Sequence, residues 1–154
     1  MMALAARILA VLAAPLLLAA VGCDYTSESK MPAPPATDVV LAQAMFADRG
    51  GQATRGTYRI ERTASGDLRL VLADDFKTDG GPDLHVVLSP TPFADAGNAN
   101  ALAGGAARIV APLMHTSGGQ VYDLPDDLDL APFRSVLVHC VQFRHLFGAA
   151  PLTR

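Results

Sequence analysis

The sequence has no tryptophan and only two cysteines, Cys23 and Cys140. Two thiols cannot build a disulfide-dense scaffold or a four-cysteine zinc ribbon. There is no CxxC and no CxxCH, so covalent c-type haem attachment is excluded. Phosphate-loop, HExxH and GxSxG patterns are missing as well, which removes the commonest nucleotide, zinc-protease and hydrolase signatures. Basic residues are in the minority, 12 against 15 acidic, for a formal net charge of −3. Nucleic acid would want a clustered basic face, so it is not an expected partner. Charge of either sign is scarce at 18%, while 51% of residues are hydrophobic, which excludes disorder as the state of most of the chain. A length of 154 residues suits one domain of ordinary size.

Much of the hydrophobicity sits in residues 1–22. Arg7 is their only charge, and an apolar run follows it from Ile8 to Val21, interrupted by Pro15. A membrane-spanning helix needs roughly 20 apolar residues, and this shorter run behind a positive charge reads as a signal peptide. It ends in Ala20-Val21-Gly22-Cys23, which resembles a bacterial lipobox. Cys23 is then the lipidated residue, and the lipid bilayer is a partner through it. Each buried CH₂ of an acyl chain contributes about 0.8 kcal/mol, so several chains anchor firmly. The competing reading is an ordinary secretory signal in which Cys23 is incidental. Residues 23–37 combine this anchor with a polar, then Pro- and Ala-rich stretch that has little to bury and reads as a flexible tether. The expected location is a bacterial cell envelope, with residues 38–154 as the exported domain.

That domain reads as strands and turns. Thr57–Glu61 and Leu68–Leu72 alternate around Ala64-Ser65-Gly66-Asp67, a hairpin pattern. Leu84–Ser89 is a further strand, stopped by Pro90 and Pro92. Residues 93–105 form a small-residue loop. Ala107–Met114 reads as an edge or broken strand because of Pro112. Gln120–Leu124 alternates again, and Pro125-Asp126-Asp127 turns the chain. Ser135–Phe143 is the strongest strand, apolar on both faces and therefore expected in the middle of a sheet. Ala42–Phe46 is compatible with one helical turn. The fold expected is all-β, an antiparallel sandwich or barrel of about 7–9 short strands.

Chemistry has few places to sit. Cys140 is the one thiol left once Cys23 carries lipid, and an exported compartment is oxidising. Free cysteine is also among the most buried residue types and often serves as a small hydrophobe. On an extended strand His139 points away from Cys140, sharing a face with Leu137, Val141 and Phe143, so the adjacent pair is not a nucleophile with its base. The four histidines, 85, 115, 139 and 145, show no helical or finger spacing. A metal or haem site assembled across strands from His85, His115, Met114 or Cys140 is not legible from spacing. Asp123, Asp126, Asp127 and Asp129 read as a solvated acidic turn, since their spacing is not that of an EF-hand.

Taken in order, three segments resemble the DM-thirteen domain, a small family proposed to act in electron transfer. The first is Gly81-Pro82-Asp83-Leu84 with the strand that follows. The second is Gly119-Gln120-Val121-Tyr122-Asp123-Leu124-Pro125. The third is Ser135 to Cys140 with Phe143, Phe147 and Gly148. They span about residues 44–152. The resemblance implies redox work centred on Cys140, as a bare thiol or as the ligand of a prosthetic group such as haem or a metal ion. It makes His139 a further cofactor-binding candidate. It also implies an envelope redox protein as partner. This chain departs from the family at His139, where an aromatic residue is usual. The rival to a redox role is a non-catalytic β-domain that binds a protein or ligand, with Cys140 as core packing. A third reading is a divalent-metal-binding lipoprotein using His and Asp groups.

Overall fold

The computed structural model describes residues 37–102 and 105–154. Cys23, the signal peptide and most of the tether lie outside the described residues. Among the described residues the elements in chain order are β1 (Val39–Met45), β2 (Ala47–Asp48), β3 (Thr54–Arg55), β4 (Thr57–Arg62), β5 (Leu68–Leu72), β6 (Lys77–Thr78), β7 (Leu84–Ser89), the 3₁₀ turn Phe93–Asp95, β8 (Arg108–Pro112), β9 (Gln120–Leu124), β10 (Ser135–Cys140) and β11 (His145–Pro151). Eight of these strands reach five residues or more, which agrees with the expected number.

Alternation of side chains explains how the strands stack. The β4–β5 hairpin pairs Tyr58 with Leu72 and Ile60 with Leu70, so one face of the pair is apolar up to Arg62 at its end. Its turn closes through Thr63 and Asp67 and uses Gly66 at φ +98°, where a side chain would be strained. β1 joins β4 and β9 joins β5, giving an antiparallel sheet ordered β1-β4-β5-β9. The second sheet is ordered β2-β11-β10-β7-β8, and β3-β6 is a small accessory ribbon.

The apolar faces of the two large sheets meet in one core. Tyr58, Ile60, Leu70, Leu72, Tyr122 and Leu124 from the first pack with Val86, Leu88, Val136, Val138, Cys140 and Ala150 from the second. This is a β-sandwich, in which burial of each large apolar side chain contributes about 1.5–3 kcal/mol. The buried Tyr58 hydroxyl donates to the Pro151 carbonyl at 2.7 Å, so it crosses the sandwich without an unmet bond.

β10 holds the middle of the five-stranded sheet, and all six of its residues are buried. Its second face is covered by the segment after β7. Val87, Leu137, Leu146 and Ala149 pack there with Ala96 and Ala101, and Phe93 and Leu102 flank them. Arg49 stacks over the Phe93 ring at 4.3 Å and pins that segment from outside. Pro112 sits on β8, an edge strand, as its missing N–H requires.

Three expectations change. Ala42–Phe46 belongs not to a helical turn but largely to β1, whose period is broken by a bulge between Val40 and Ala42. The Ser135–Phe143 strand stops at Cys140, and residues 141–144 form the turn of the β10–β11 hairpin. Phe143 therefore stands exposed in that turn rather than on the face of Leu137. The loop over 93–105 opens with a 3₁₀ turn, Phe93–Asp95.

On the outer face of the first sheet, Glu61 is fully buried between Arg59 and Arg69, and Arg69 also reaches Asp38 at 2.9 Å. Desolvation works to raise the Glu61 pKa. The hydrogen bonds and charges of the two guanidinium groups outweigh it and hold the carboxyl below its usual range.

Candidate functional site

Cys140 ends β10, flanked in the ladder by Leu84, the first residue of β7, and by His145, the first residue of β11. It is a free thiol, 1% exposed, on the inner face of the sheet. Asp83 locks the chain just beyond it. The Asp83 carbonyl accepts from the Val141 N–H at 3.0 Å, and its carboxylate accepts from the Gln142 N–H at 2.9 Å. The turn then reverses through Arg144 at φ +52°, a conformation unusual for a side-chain-bearing residue.

The other motif residues close around this end of the sheet. A Cβ on Gly81 would lie 2.9 Å from both Leu84 Cδ2 and Phe147 Cζ, so glycine lets these two side chains fill the space above the cysteine end. Phe147 is buried in the same core as Cys140 and meets the His145 ring edge-on at 5.6 Å. Gly148 admits Thr54, whose side chain a Cβ would overlap, and Thr54 hydrogen-bonds Thr78 at 2.7 Å. Pro82 is exposed and lines a 230 Å³ cavity formed by Gly81–Leu84 and Pro112–Thr116.

Tyr122 and Pro125 lie elsewhere, at the β9 edge of the other sheet. Tyr122 accepts from the Met114 N–H at 3.1 Å and donates to Gln120 Oε1 at 2.7 Å. Gln120 in turn brackets His115 through its backbone N–H and carbonyl. These motif residues thus fix the loop that forms the far wall of the same cavity. The acidic turn at 123–129 is exposed apart from Leu124 and Leu128; Asp126 receives the Leu68 N–H and Asp129 that of Ala131.

His139 lies on the opposite face from Cys140. It is fully buried, and neither ring nitrogen has a hydrogen-bond partner. An unmet buried polar group costs about 1–3 kcal/mol. Burial lowers the pKa of the imidazole, and the charges of His145, Arg144 and His85 add to that effect. The neighbouring histidines are engaged. His145 takes the Asn98 amide at Nδ1 and gives Nε2–H to the Gly50 carbonyl. His85 Nδ1 lies 3.2 Å from the Asp83 carbonyl, which can only accept, so that nitrogen carries the proton. His85 is the direct ladder partner of His139, a pairing that no spacing in the sequence discloses.

A haem held by Cys140 does not fit this site. The thiol is packed against core side chains, 1% exposed, and does not line the 230 Å³ cavity beside this end of the sheet. Among the described residues, no group of three or more His, Cys, Asp or Glu side chains is placed to hold a metal ion. The divalent-metal reading therefore has no assembled ligand set among them.

The family model described as electron transfer DM13 matches residues 45–152. No curated protein and no solved structure matches the chain. The match takes in β2 to β11 and every residue shown here to surround Cys140. By that match over most of its length, the chain belongs to the DM13 electron-transfer family.

Proposed function

We propose that this domain transfers electrons at a bacterial envelope by thiol–disulfide exchange at Cys140, with Cys23 lipidated as the membrane anchor. The observation that carries the reading is convergence. Gly81, Asp83, Leu84, Phe147 and Cys140 come from segments up to 66 positions apart and meet at one end of one sheet, as the distances above describe. In the exchange, the Cys140 thiolate attacks a disulfide of an envelope redox protein. A mixed disulfide forms and one partner thiolate leaves; a dithiol donor protein then attacks the Cys140 sulfur, releases the partner's second thiolate, and closes its own disulfide to free Cys140, so two electrons pass from donor to acceptor. Cys140 is 1% exposed, so the 141–144 turn must open first, and Asp83 holds that turn shut. His139 points away and is not the base for this thiol.

The burial of Cys140 favours a second reading, in which the thiol is core packing and the domain only binds a partner. One experiment separates them. The full chain in detergent micelles is challenged with a small aromatic disulfide, in native buffer and in denaturant. Under the redox reading Cys140 forms a one-to-one mixed disulfide well below the denaturation midpoint, at a rate faster than global unfolding. Reaction only at the unfolding rate, together with a Cys140→Ala strain of normal phenotype, overturns it. Metabolic labelling with a fatty acid, lost in Cys23→Ala, tests the anchor.

A further inference from the structure

The unmet nitrogens of His139 point to a ligand. Direct partners in an antiparallel ladder share a face, with Cβ atoms about 4.5–5.5 Å apart, so the His85 and His139 side chains leave the sheet from neighbouring positions on its outer face. We propose that His85 and His139 form a two-coordinate site for a monovalent copper ion.

The donor chemistry selects the ion. His85 donates Nδ1–H to the Asp83 carbonyl, with the Asp83 carboxylate 3.4 Å from the same nitrogen. That outer-sphere hold fixes the tautomer and leaves the Nε2 lone pair free, as in metal-bound imidazoles generally. His139 supplies a second neutral nitrogen that nothing else uses. Zinc wants four ligands, and calcium or magnesium wants oxygens; the described residues offer neither set. Cuprous ion has a closed shell and accepts two donors in line. Its single charge is also the cheapest to bury, beside the cationic Arg144 and the neighbouring His145. Bonds on the order of 2 Å place the two nitrogens about 4 Å apart, beyond hydrogen-bond reach, in keeping with the absence of a bond between the rings.

Access and cover are both present. The His85 side chain is 16% exposed and gives the ion an entry. Asn98 accepts the N–H of Leu146, which is the β11 partner of His139, so the segment after β7 is tied down beside the site. The pair lies on the far face of β10 from Cys140, and the inference therefore goes beyond the thiol reading and does not depend on it.

The test is an anaerobic titration of the full chain in detergent against cuprous bicinchoninate, followed by absorption at the copper edge. The chain is expected to withdraw one equivalent, with nitrogen and no sulfur around the metal. His85→Gln and His139→Phe should each weaken retention by on the order of 100-fold or more, while Cys140→Ser retains the ion. His85→Gln replaces a partly exposed ring and keeps the test valid even where His139→Phe repacks the core. Failure to withdraw copper, full retention in both histidine variants, or loss confined to Cys140→Ser with sulfur in the spectrum each overturns the proposal. The last outcome would put copper on the thiol. Mixed-disulfide formation in the two histidine variants reports separately on the Cys140 reading.

Discussion

The outer face of the β7–β10 ladder has a polar pair at each end. At one end stand Ser89 and Ser135, at the other His85 and His139, with Val87 and Leu137 between them. Both serines are completely buried and both are satisfied. Ser89 donates to the Ala101 carbonyl and Ser135 to the Thr91 carbonyl, each at 2.8 Å. His139 is buried just as deeply and bonds to nothing. Burial alone therefore does not explain His139. One end of the face uses its polar groups to tie down the covering segment, and the other holds donors in reserve.

The largest effect expected is a gain. In metal-free protein, His139→Phe removes two unmet nitrogens while keeping an aromatic ring, and should raise unfolding free energy in urea by about 1–3 kcal/mol. A loss of that size would show that His139 has a partner in solution and would remove the contrast. Excess cuprous ion should reverse the order of the two proteins, because the wild type alone binds it.

Acid gives the next effect. The His139 pKa is lowered in the folded state, so the unfolded chain takes the proton first. Stability is full above about pH 6.5 and is lost as pH falls from there through the folded value, by up to about 1.4 kcal/mol per unit. His139→Phe should remove that slope. Glu61, whose pKa is also lowered, acts in a separate window. Its contribution is present above the ordinary carboxylate range near 4.3 and is lost below it. Urea titrations at a series of pH values resolve the two.

Ser135→Ala should cost about 1 kcal/mol by the same measurement, opposite in sign to His139→Phe, since it strands the Thr91 carbonyl. The smallest effect belongs to the thiol. Asp83→Asn weakens one turn bond by about 0.5–1.5 kcal/mol, so Cys140 labelling should quicken by up to roughly tenfold. Unchanged labelling would show that the turn does not gate the thiol.

Local patterning made much of this fold legible. Leu68–Leu72, Leu84–Ser89 and Gln120–Leu124 are strands to the residue, because their alternation is regular and turn residues bound them. Pro112 marked its own edge. The errors have physical causes. In β1 the bulge at Val40–Ala42 shifts the period, and a shifted period imitates a helical turn. At β10 the apolar Val141 and Phe143 continue the pattern, but Asp83, nearly sixty residues earlier, captures two amides and ends the strand. The site divides in the same way. That Cys140 and His139 face opposite sides follows from strand geometry alone. That His85 stands beside His139 depends on the register between distant strands, which nothing local encodes.

The strand edges bear on the lipid anchor proposed at Cys23. A tethered population is confined to two dimensions, where chains meet often, and open strand edges invite pairing between copies. Three of the four sandwich edges discourage it: β1 is bulged, β2 has only two residues, and β8 carries both a bulge and Pro112. Only β9 runs regular along its edge, with Val121 half-exposed on it. If crowded copies of this protein ever join edge to edge, β9 is where the seam will form.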